Sequence, residues 1–257
     1  MDKKLVFIVP ALVIIFFLEG VYPHFKGRKQ RMRHAFPHIV TALLNGLLTG
    51  ILLAGITLSA AGWADARSLG FLNVLRLPYY AEWITAFILF DIYMYFWHMA
   101  NHRLSFLWRF HRAHHSDIEM DTTTALRFHP GELILSTFIR LPIIVLLGMS
   151  FAQLALYELV LNIAILFHHS NLGIPEKWDR VIRAFIVTPN MHRVHHSIEL
   201  RELNSNFTST LSLWDRLNGT FKKRDNTLTI TIGLPVLRER KWQGLSGFII
   251  TPFVRSE

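Results

Sequence analysis

Three clusters of histidine constrain the fold of this chain more than any other feature of its sequence. Each cluster spaces its histidines three or four residues apart, so on a helix each would project its imidazoles from one face. Imidazole is a good ligand for first-row transition metals. Eight imidazoles are too many for one metal ion with an open position, but shared between two ions they leave positions free. The clusters are His98 and His102; His111, His114 and His115; and His192, His195 and His196.

Long apolar runs are the second feature. Hydrophobic residues make up 51% of the 257 residues, and the mean hydropathy is +0.31. Runs approaching or exceeding the ~20 residues that span hydrocarbon predict membrane helices. The predicted spans are 5–22, 39–63, 81–97, 133–149 and 151–167. The last two predict a hairpin that turns at Gly148, Met149 and Ser150. The first is interpreted as a retained span because no cleavage site of the small-x-small kind follows it.

The charge of the chain has a local origin. Its net charge is +9, and a short loop between the first two spans is strongly basic. A basic loop beside a span predicts that the loop lies in the cytoplasm. The other basic residues are scattered through helix ends and loops, which argues against nucleic-acid binding. The basic residues of the loop are Lys26, Arg28, Lys29, Arg31 and Arg33.

The number of crossings then places the histidine clusters. If loop 26–34 is cytoplasmic, span 39–63 leads outwards, 64–80 is an external connection, and 81–97 leads back. The hairpin of 133–149 and 151–167 leaves and returns. All three clusters therefore fall on one face. The sequence predicts an all-α, polytopic membrane helical bundle with a histidine-rich di-metal site at its cytoplasmic face.

Several other metal sites are excluded by composition. The chain has no cysteine, which rules out thiolate-ligated haem, iron–sulfur clusters and cysteine-ligated zinc. The Glu-x-x-His pairs of ferritin-like di-iron bundles are absent from the sequence. The H-E-x-x-H motif of zinc proteases is also absent, since Met99 follows His98.

The motifs together resemble the fatty acid hydroxylase/sterol desaturase superfamily. The resemblance covers roughly residues 85–222 and rests on the order and spacing of the whole set. It includes Phe167-His168-His169-Ser170 and the run from Leu213 to Thr220. The three histidine motifs are Asp91-x-x-x-Tyr95-x-x-His98-x-x-x-His102, His111-Arg112-Ala113-His114-His115-Ser116 and Met191-His192-Arg193-Val194-His195-His196.

This resemblance implies a non-haem di-iron enzyme that uses O2 and external electrons to hydroxylate or desaturate a lipid. It implies that the eight clustered histidines are iron ligands. The family often has a further histidine before the last cluster, for which His169 fits best and His168 is the alternative. A third motif of the fatty acid 2-hydroxylase branch is missing, which leaves the lipid open. The resemblance divides the chain into a transmembrane region at 1–80, a catalytic domain at 81–222 and a C-terminal cytoplasmic tail at 223–257.

Two further residues have competing interpretations. Asp91 lies two helical turns before His98 within an apolar run, and a carboxylate at such a depth is functional by default. We expect Asp91 to accept a proton from a ligand imidazole and orient it, and a pairing with Arg140 is the alternative. His129 precedes Pro130 and is expected to cap a helix, with metal ligation as the alternative.

Some local structure and several partners are also predicted. Residues 121–124 predict a cap or turn, and alternation in 226–236 predicts a short strand. The expected cofactor is a pair of iron ions, and a separate electron donor of the ferredoxin, cytochrome b5 or reductase type is needed. A bacterial inner membrane is favoured over the endoplasmic reticulum. The competing functions are a histidine-rich metal-binding or metal-transport membrane protein and a zinc hydrolase.

Overall fold

The computed structural model describes residues 4–254, and helices make up nearly all of its regular structure. The first half contains α1 (Leu5–Val21), α2 (Arg31–Leu48), α3 (Ala54–Asp65), α4 (Phe71–Leu75), α5 (Tyr79–Arg103) and α6 (Ser105–His115). The second half contains α7 (Pro130–Leu147), α8 (Phe151–His169), α9 (Glu176–Ile182), α10 (Pro189–His195), α11 (Leu200–Leu203), α12 (Leu213–Leu217), α13 (Arg240–Gln243) and α14 (Leu245–Ile250). The all-α prediction is therefore correct for these residues.

The hairpin between α7 and α8 forms where the sequence predicts it. Gly148 ends α7 with a φ of +73°, a backbone conformation that residues other than glycine rarely adopt. A Cβ at this position would lie 2.5 Å from the carbonyl oxygen of Leu69, so the close approach also requires glycine. Ser150 then begins α8 with a reciprocal capping box to Gln153.

Two predicted elements differ from the structure. The run 39–63 is not one straight helix, because α2 ends at Leu48, a π-helical turn follows at Thr49–Leu53, and α3 begins at Ala54. Glycines at positions 46, 50 and 55 weaken the helix here. The strand predicted at 226–236 is wrong. A 3₁₀ turn at Thr227–Thr229 and a single bridge from Ser197 to Ile232 replace it, since Gly233 at a φ of +101° interrupts extended backbone.

Two helices within the described residues are long and apolar enough to cross a membrane. They are α7 and α8, with 18 and 19 residues, and α1 is a shorter apolar helix. Together with the apolar surface of α1, they indicate a membrane protein. The predicted run 81–97 lies inside the 25-residue helix α5.

The helices bring all the histidine clusters to one end of the molecule. Near the starts of α5 and α8, the Glu82 carboxylate accepts a hydrogen bond from the Gln153 amide at 2.7 Å, so the two helices run in parallel. Their far ends carry His98 and His169. A hydrophobic core packs the helices together between these ends, and its buried members include Phe90, Ile144, Leu154 and Leu161.

The C-terminal residues pack against the histidine-bearing helices. The buried guanidinium of Arg127 donates to the carbonyl oxygens of Ala113 in α6 and of Trp242 and Gln243 in α13, at 3.1–3.3 Å. Arg112 of α6 donates to the carbonyl oxygen of Thr251 at 2.7 Å. These bonds attach residues 240–251 to the segment that carries the second histidine cluster.

Candidate metal centre

Nine buried or half-buried imidazoles converge at this end and form two groups. We call them the five-imidazole group and the four-imidazole group. In each, one nitrogen from every ring lies within 4.8 Å of those of all the other members. The five-imidazole group contains His98, His102, His111, His115 and His195. The four-imidazole group contains His114, His169, His192 and His196. These are the same nine residues that the sequence and the family resemblance single out.

The repeated H-x-x-H-H spacing has a geometric reason. In α6, the first and last histidines join the five-imidazole group, and His114 turns to the other. In the motif of α10 the arrangement is reversed. His192 and His196 belong to the four-imidazole group, and His195 belongs to the five-imidazole group. The rings of His115 and His196 stack between the two groups with centroids 4.3 Å apart. Each short helix, with His196 directly after α10, therefore contributes imidazoles to both groups.

The nitrogen separations fit a metal ion in each group. Nε2 of His111 lies 3.1 Å from Nε2 of His98 and 3.2 Å from that of His115. In the other group, Nε2 of His169 lies 3.0 Å from that of His114 and 3.1 Å from that of His192. Imidazole nitrogens bind transition metals at roughly 2.0–2.1 Å, which puts neighbouring ligands roughly 3 Å apart.

The second ring nitrogen of four histidines is held by a fixed acceptor. Nδ1 of His169 donates to the carbonyl oxygen of Ile165 at 2.8 Å. Nδ1 of His98 donates to the carbonyl oxygen of Phe207 at 2.6 Å, and Nδ1 of His195 donates to that of Ser205 at 2.7 Å. Nδ1 of His111 lies 2.8 Å from the carboxylate of Glu132. Donation from Nδ1 leaves the Nε2 lone pair facing the group interior, as metal ligation requires.

Burial keeps the imidazoles of α6 and α10 in the metal-binding form. Burial first, and then the neighbouring imidazoles, hold the pKa values of five of them well below the ordinary 6.5. Neutral imidazole is the form that ligates metals. The five are His114, His115, His192, His195 and His196.

The structure corrects the role predicted for Asp91. Its carboxylate accepts hydrogen bonds from Tyr157 Oη at 2.8 Å, Trp214 Nε1 at 2.7 Å and the Leu211 amide at 3.2 Å. Among the residues described, no histidine is bonded to it. The two-turn offset puts Asp91 and His98 on one helix face but roughly 10 Å apart along the axis. Arg140 is not its partner either, since that guanidinium binds Glu158.

Glu132 has the role that the sequence predicted for Asp91. It lies in the first turn of α7, is only 5% exposed, and contacts a histidine of the five-imidazole group. The signal in the sequence was a carboxylate directly after His129-Pro130-Gly131 at the start of an apolar helix. His129 itself caps α7, as predicted, by accepting the Gly131 amide at 3.0 Å.

Two aromatic neighbours complete the surroundings. The indole of Trp108 lies with its ring centroid 5.1 Å from that of His102 and 5.6 Å from that of His115. His168 is fully buried and its ring lies 4.1 Å from that of His192, but it is not a member of either group.

A third cluster, formed by His34, His38 and Asp117, has the character of an ion-pair network. His34 donates through Nε2 to Asp117 at 2.8 Å and through Nδ1 to Asp121 at 2.9 Å. Burial opposes the charged ring, but the two carboxylates outweigh it and raise the pKa of His34 to about 10. With both nitrogens used, and the Arg127 guanidinium 3.2 Å from His38, this cluster is poorly suited to a cation.

The raised pKa of His34 gives a prediction for stability against pH. A raised pKa means that the folded state retains a proton which the unfolded chain loses above about 6.5. The stabilisation is therefore complete below pH 6.5 and is lost as pH rises through about 10. We expect the thermal unfolding midpoint of the detergent-solubilised protein to fall between pH 7 and pH 10. In His34→Gln that fall should be much smaller, and an unchanged slope would contradict the assignment.

Comparisons with known proteins agree with this geometry. The sequence profile of the family described as Fatty acid hydroxylase matches residues 83–220, which include all nine imidazoles. The chain is 25% identical over 236 residues to an ornithine lipid hydroxylase of Rhizobium tropici, covering 87% of this chain and 68% of that protein. It is 29% identical over 177 residues to sphinganine C4-monooxygenase 1 of Arabidopsis thaliana, covering 68% and 65%.

Another group of relatives is longer. The chain is 29% identical over 156 residues to an alkylglycerol monooxygenase of Xenopus tropicalis, covering 58% of this chain and 33% of that protein. The match thus spans about a third of the length of that enzyme and of its human counterpart. No solved structure matches the chain.

Proposed function

Because the chain belongs to the fatty acid hydroxylase family, we propose that it is a membrane-bound, non-haem di-iron oxygenase that hydroxylates a lipid. The observation that carries this proposal is the division of nine convergent imidazoles into groups of five and four. Such a set suits one transition-metal ion in each group. The relatives named above are hydroxylases and monooxygenases, which favours hydroxylation over desaturation.

Iron bound in the two groups would supply the activation of O2 that attack on an unreactive C–H bond requires. In a monooxygenation, one oxygen atom enters the C–H bond and the other leaves as water, which consumes two electrons and two protons. No cysteine is available for a built-in iron–sulfur centre. We therefore propose a separate electron donor of the ferredoxin, cytochrome b5 or reductase type.

The chain's own residues orient the ligands and limit access of water. Glu132 and the carbonyl oxygens of Phe207, Ser205 and Ile165 fix four rings in one tautomer. Trp108 and Phe207 pack against His102, with ring centroids 5.1 and 5.2 Å from it. These aromatic walls exclude water from the side of the five-imidazole group that they cover.

The orientation in the membrane is part of the same proposal. With α7 and α8 as a crossing hairpin, both ends that adjoin the histidines lie at one surface. The basic loop around Arg28 approaches this end too, since Arg28 donates to the carbonyl oxygen of Met120 at 2.6 Å. A basic loop favours the cytoplasmic side. We propose a multi-pass protein of a bacterial inner membrane with its metal centre facing the cytoplasm.

The test uses the full chain, expressed with iron and purified in detergent. We expect two iron ions per chain, O2 consumption that depends on a reduced ferredoxin, and a lipid that gains one oxygen atom from ¹⁸O2. Mass spectrometry of lipids from cells with and without the gene identifies that lipid. One tightly held zinc ion per chain, with no exchange for iron and no O2 consumption, would falsify the proposal and favour the hydrolase. Metal flux into vesicles without lipid oxidation would favour the transporter.

A further inference from the structure

Apolar side chains outside the two long apolar helices are exposed on α9, on α12 and just after α9. Trp178, Val181 and Phe185 follow one another at intervals of three and four residues, and Leu213 and Leu217 lie four apart on α12. The intervals within the helices place Trp178 and Val181 on one face of α9, and Leu213 and Leu217 on one face of α12. Phe185 lies in the turn after α9. The exposed fractions are 59% for Trp178, 56% for Val181, 71% for Phe185, 44% for Leu213 and 67% for Leu217.

Hydrogen bonds join these two stretches into one surface. The Ser212 amide donates to the carbonyl oxygen of Phe185 at 3.0 Å. The carbonyl oxygen of Arg183 accepts from Ser212 Oγ and from the Arg216 guanidinium, each at 2.7 Å. We call the exposed side chains of these five residues the α9–α12 surface.

The α12 part of the α9–α12 surface lies beside the middle of the long helices and not beyond their ends. Trp214 of α12 donates to Asp91 of α5, which also accepts from Tyr157 of α8. Tyr157 precedes His169 by 12 residues, which is roughly 18 Å along α8. Residues 207–217 therefore extend from the metal centre back along α8, a helix that is long and apolar enough to cross a membrane.

The irregular backbone at this depth is satisfied by buried carboxylates. Asp215, which is fully buried, accepts the amide of Phe207 at 2.8 Å and that of Thr208 at 3.0 Å. Asp91 accepts the Leu211 amide at 3.2 Å. Non-helical backbone is tolerated at membrane depth only where its polar groups have partners inside the protein. The backbone amides of Phe207, Thr208 and Leu211 meet this requirement.

We propose that residues 207–217 re-enter the bilayer and that the α9–α12 surface is in contact with lipid. The basic side chains of α9 fit the headgroup level, since Lys177 lies 5.6 Å above the Trp178 ring and Arg180 is 74% exposed. The partner is thus the bilayer itself, which contacts residues 207–217 as well as the spanning helices. This inference rests on the crossing of the membrane by α8, which is part of the proposed function.

Depth measurement in vesicles tests the inference, and the absence of native cysteine makes single labels clean. Leu217→Cys is compared with Leu200→Cys, because the two leucines are 67% and 68% exposed. Leu200 is flanked by Glu199, Arg201 and Glu202, so its label should remain in water. Leu156→Cys on α8 reports the crossing helix. Each variant of the full chain carries an environment-sensitive fluorophore in phosphatidylcholine vesicles.

We expect a nitroxide at the middle of the lipid chains to quench the labels at 217 and 156 several-fold more strongly than the label at 200. Aqueous iodide should show the opposite order. Strong iodide quenching at 217, or shielding from both quenchers by a protein partner, would overturn the inference while leaving the crossing of α8 intact. If the label at 156 also escapes the lipid quencher, the membrane crossing fails as well. Neither result depends on turnover, so the oxygenase proposal is tested separately.

Discussion

His102→Ala is expected to weaken the binding of one of the two metal ions, so that the purified protein retains fewer than two ions per chain, and to abolish turnover. His102 belongs to the five-imidazole group, and neither of its ring nitrogens has a hydrogen-bond partner among the described residues. Its removal therefore breaks no hydrogen bond, and the loss reports ligation alone. Because the two groups share no residue, the four-imidazole group should keep its ion. The fall in activity should exceed the ~10–100-fold typical for loss of an outer hydrogen-bond partner.

His168→Ala is the matched control for this experiment. His168 is equally buried beside the centre and also has an unpartnered Nδ1, but it belongs to neither group. We expect it to keep both ions and to lose stability through the cavity that it leaves and through loss of its hydrogen bond to the Ser209 backbone. Metal content is measured by elemental analysis of detergent-purified protein, and turnover by O2 consumption. Equal metal loss in both variants would show that the ligand set includes His168.

The sequence predicted the local features of this centre well. Spacings of three and four residues place imidazoles on helix faces, and capping residues set the starts of α7 and α8. How α6 and α10 share their histidines between the groups was not predictable. It depends on the angle at which two short helices approach, and no spacing within either helix records that angle.

The wrong prediction for Asp91 has a physical cause. The spacing of two residues on a helix shows that their side chains point in the same direction, but not that they are in contact. Asp91 shares a face with His98, yet its hydrogen-bond partner is Trp214, 123 residues later in the sequence. Segment 207–217 brings that partner, and its irregular path follows from contacts with Asp91, Asp215 and Phe185. The packing of residues 240–251 likewise depends on contacts between distant segments. The break after Leu48 and the missing strand at 226–236 are different, because both lie at glycines.

Glu132→Ala and Asp91→Asn are expected to fail in different ways. Removal of the Glu132 carboxylate leaves Nδ1 of His111 without its acceptor, so the ring loses its fixed tautomer. We expect a ~10–100-fold loss of metal affinity or activity with little change in thermal unfolding. Glu132→Gln keeps an oxygen that can accept from Nδ1 and should recover part of the loss. Full metal affinity and turnover in Glu132→Ala would refute this role.

Asp91→Asn should instead leave the metal content intact and weaken the fold. The amide oxygen can replace Oδ2 and accept from Trp214 and Leu211, but the NH2 group then faces the Tyr157 hydroxyl, which loses its acceptor. Each donor left unpaired costs about 1–3 kcal/mol, so the unfolding midpoint should fall. Segment 207–217 also carries the Phe207 carbonyl that orients His98, so turnover should decline only as that segment loosens. Loss of iron without a change in the unfolding midpoint would instead support the role at the metal centre that the sequence predicted for Asp91.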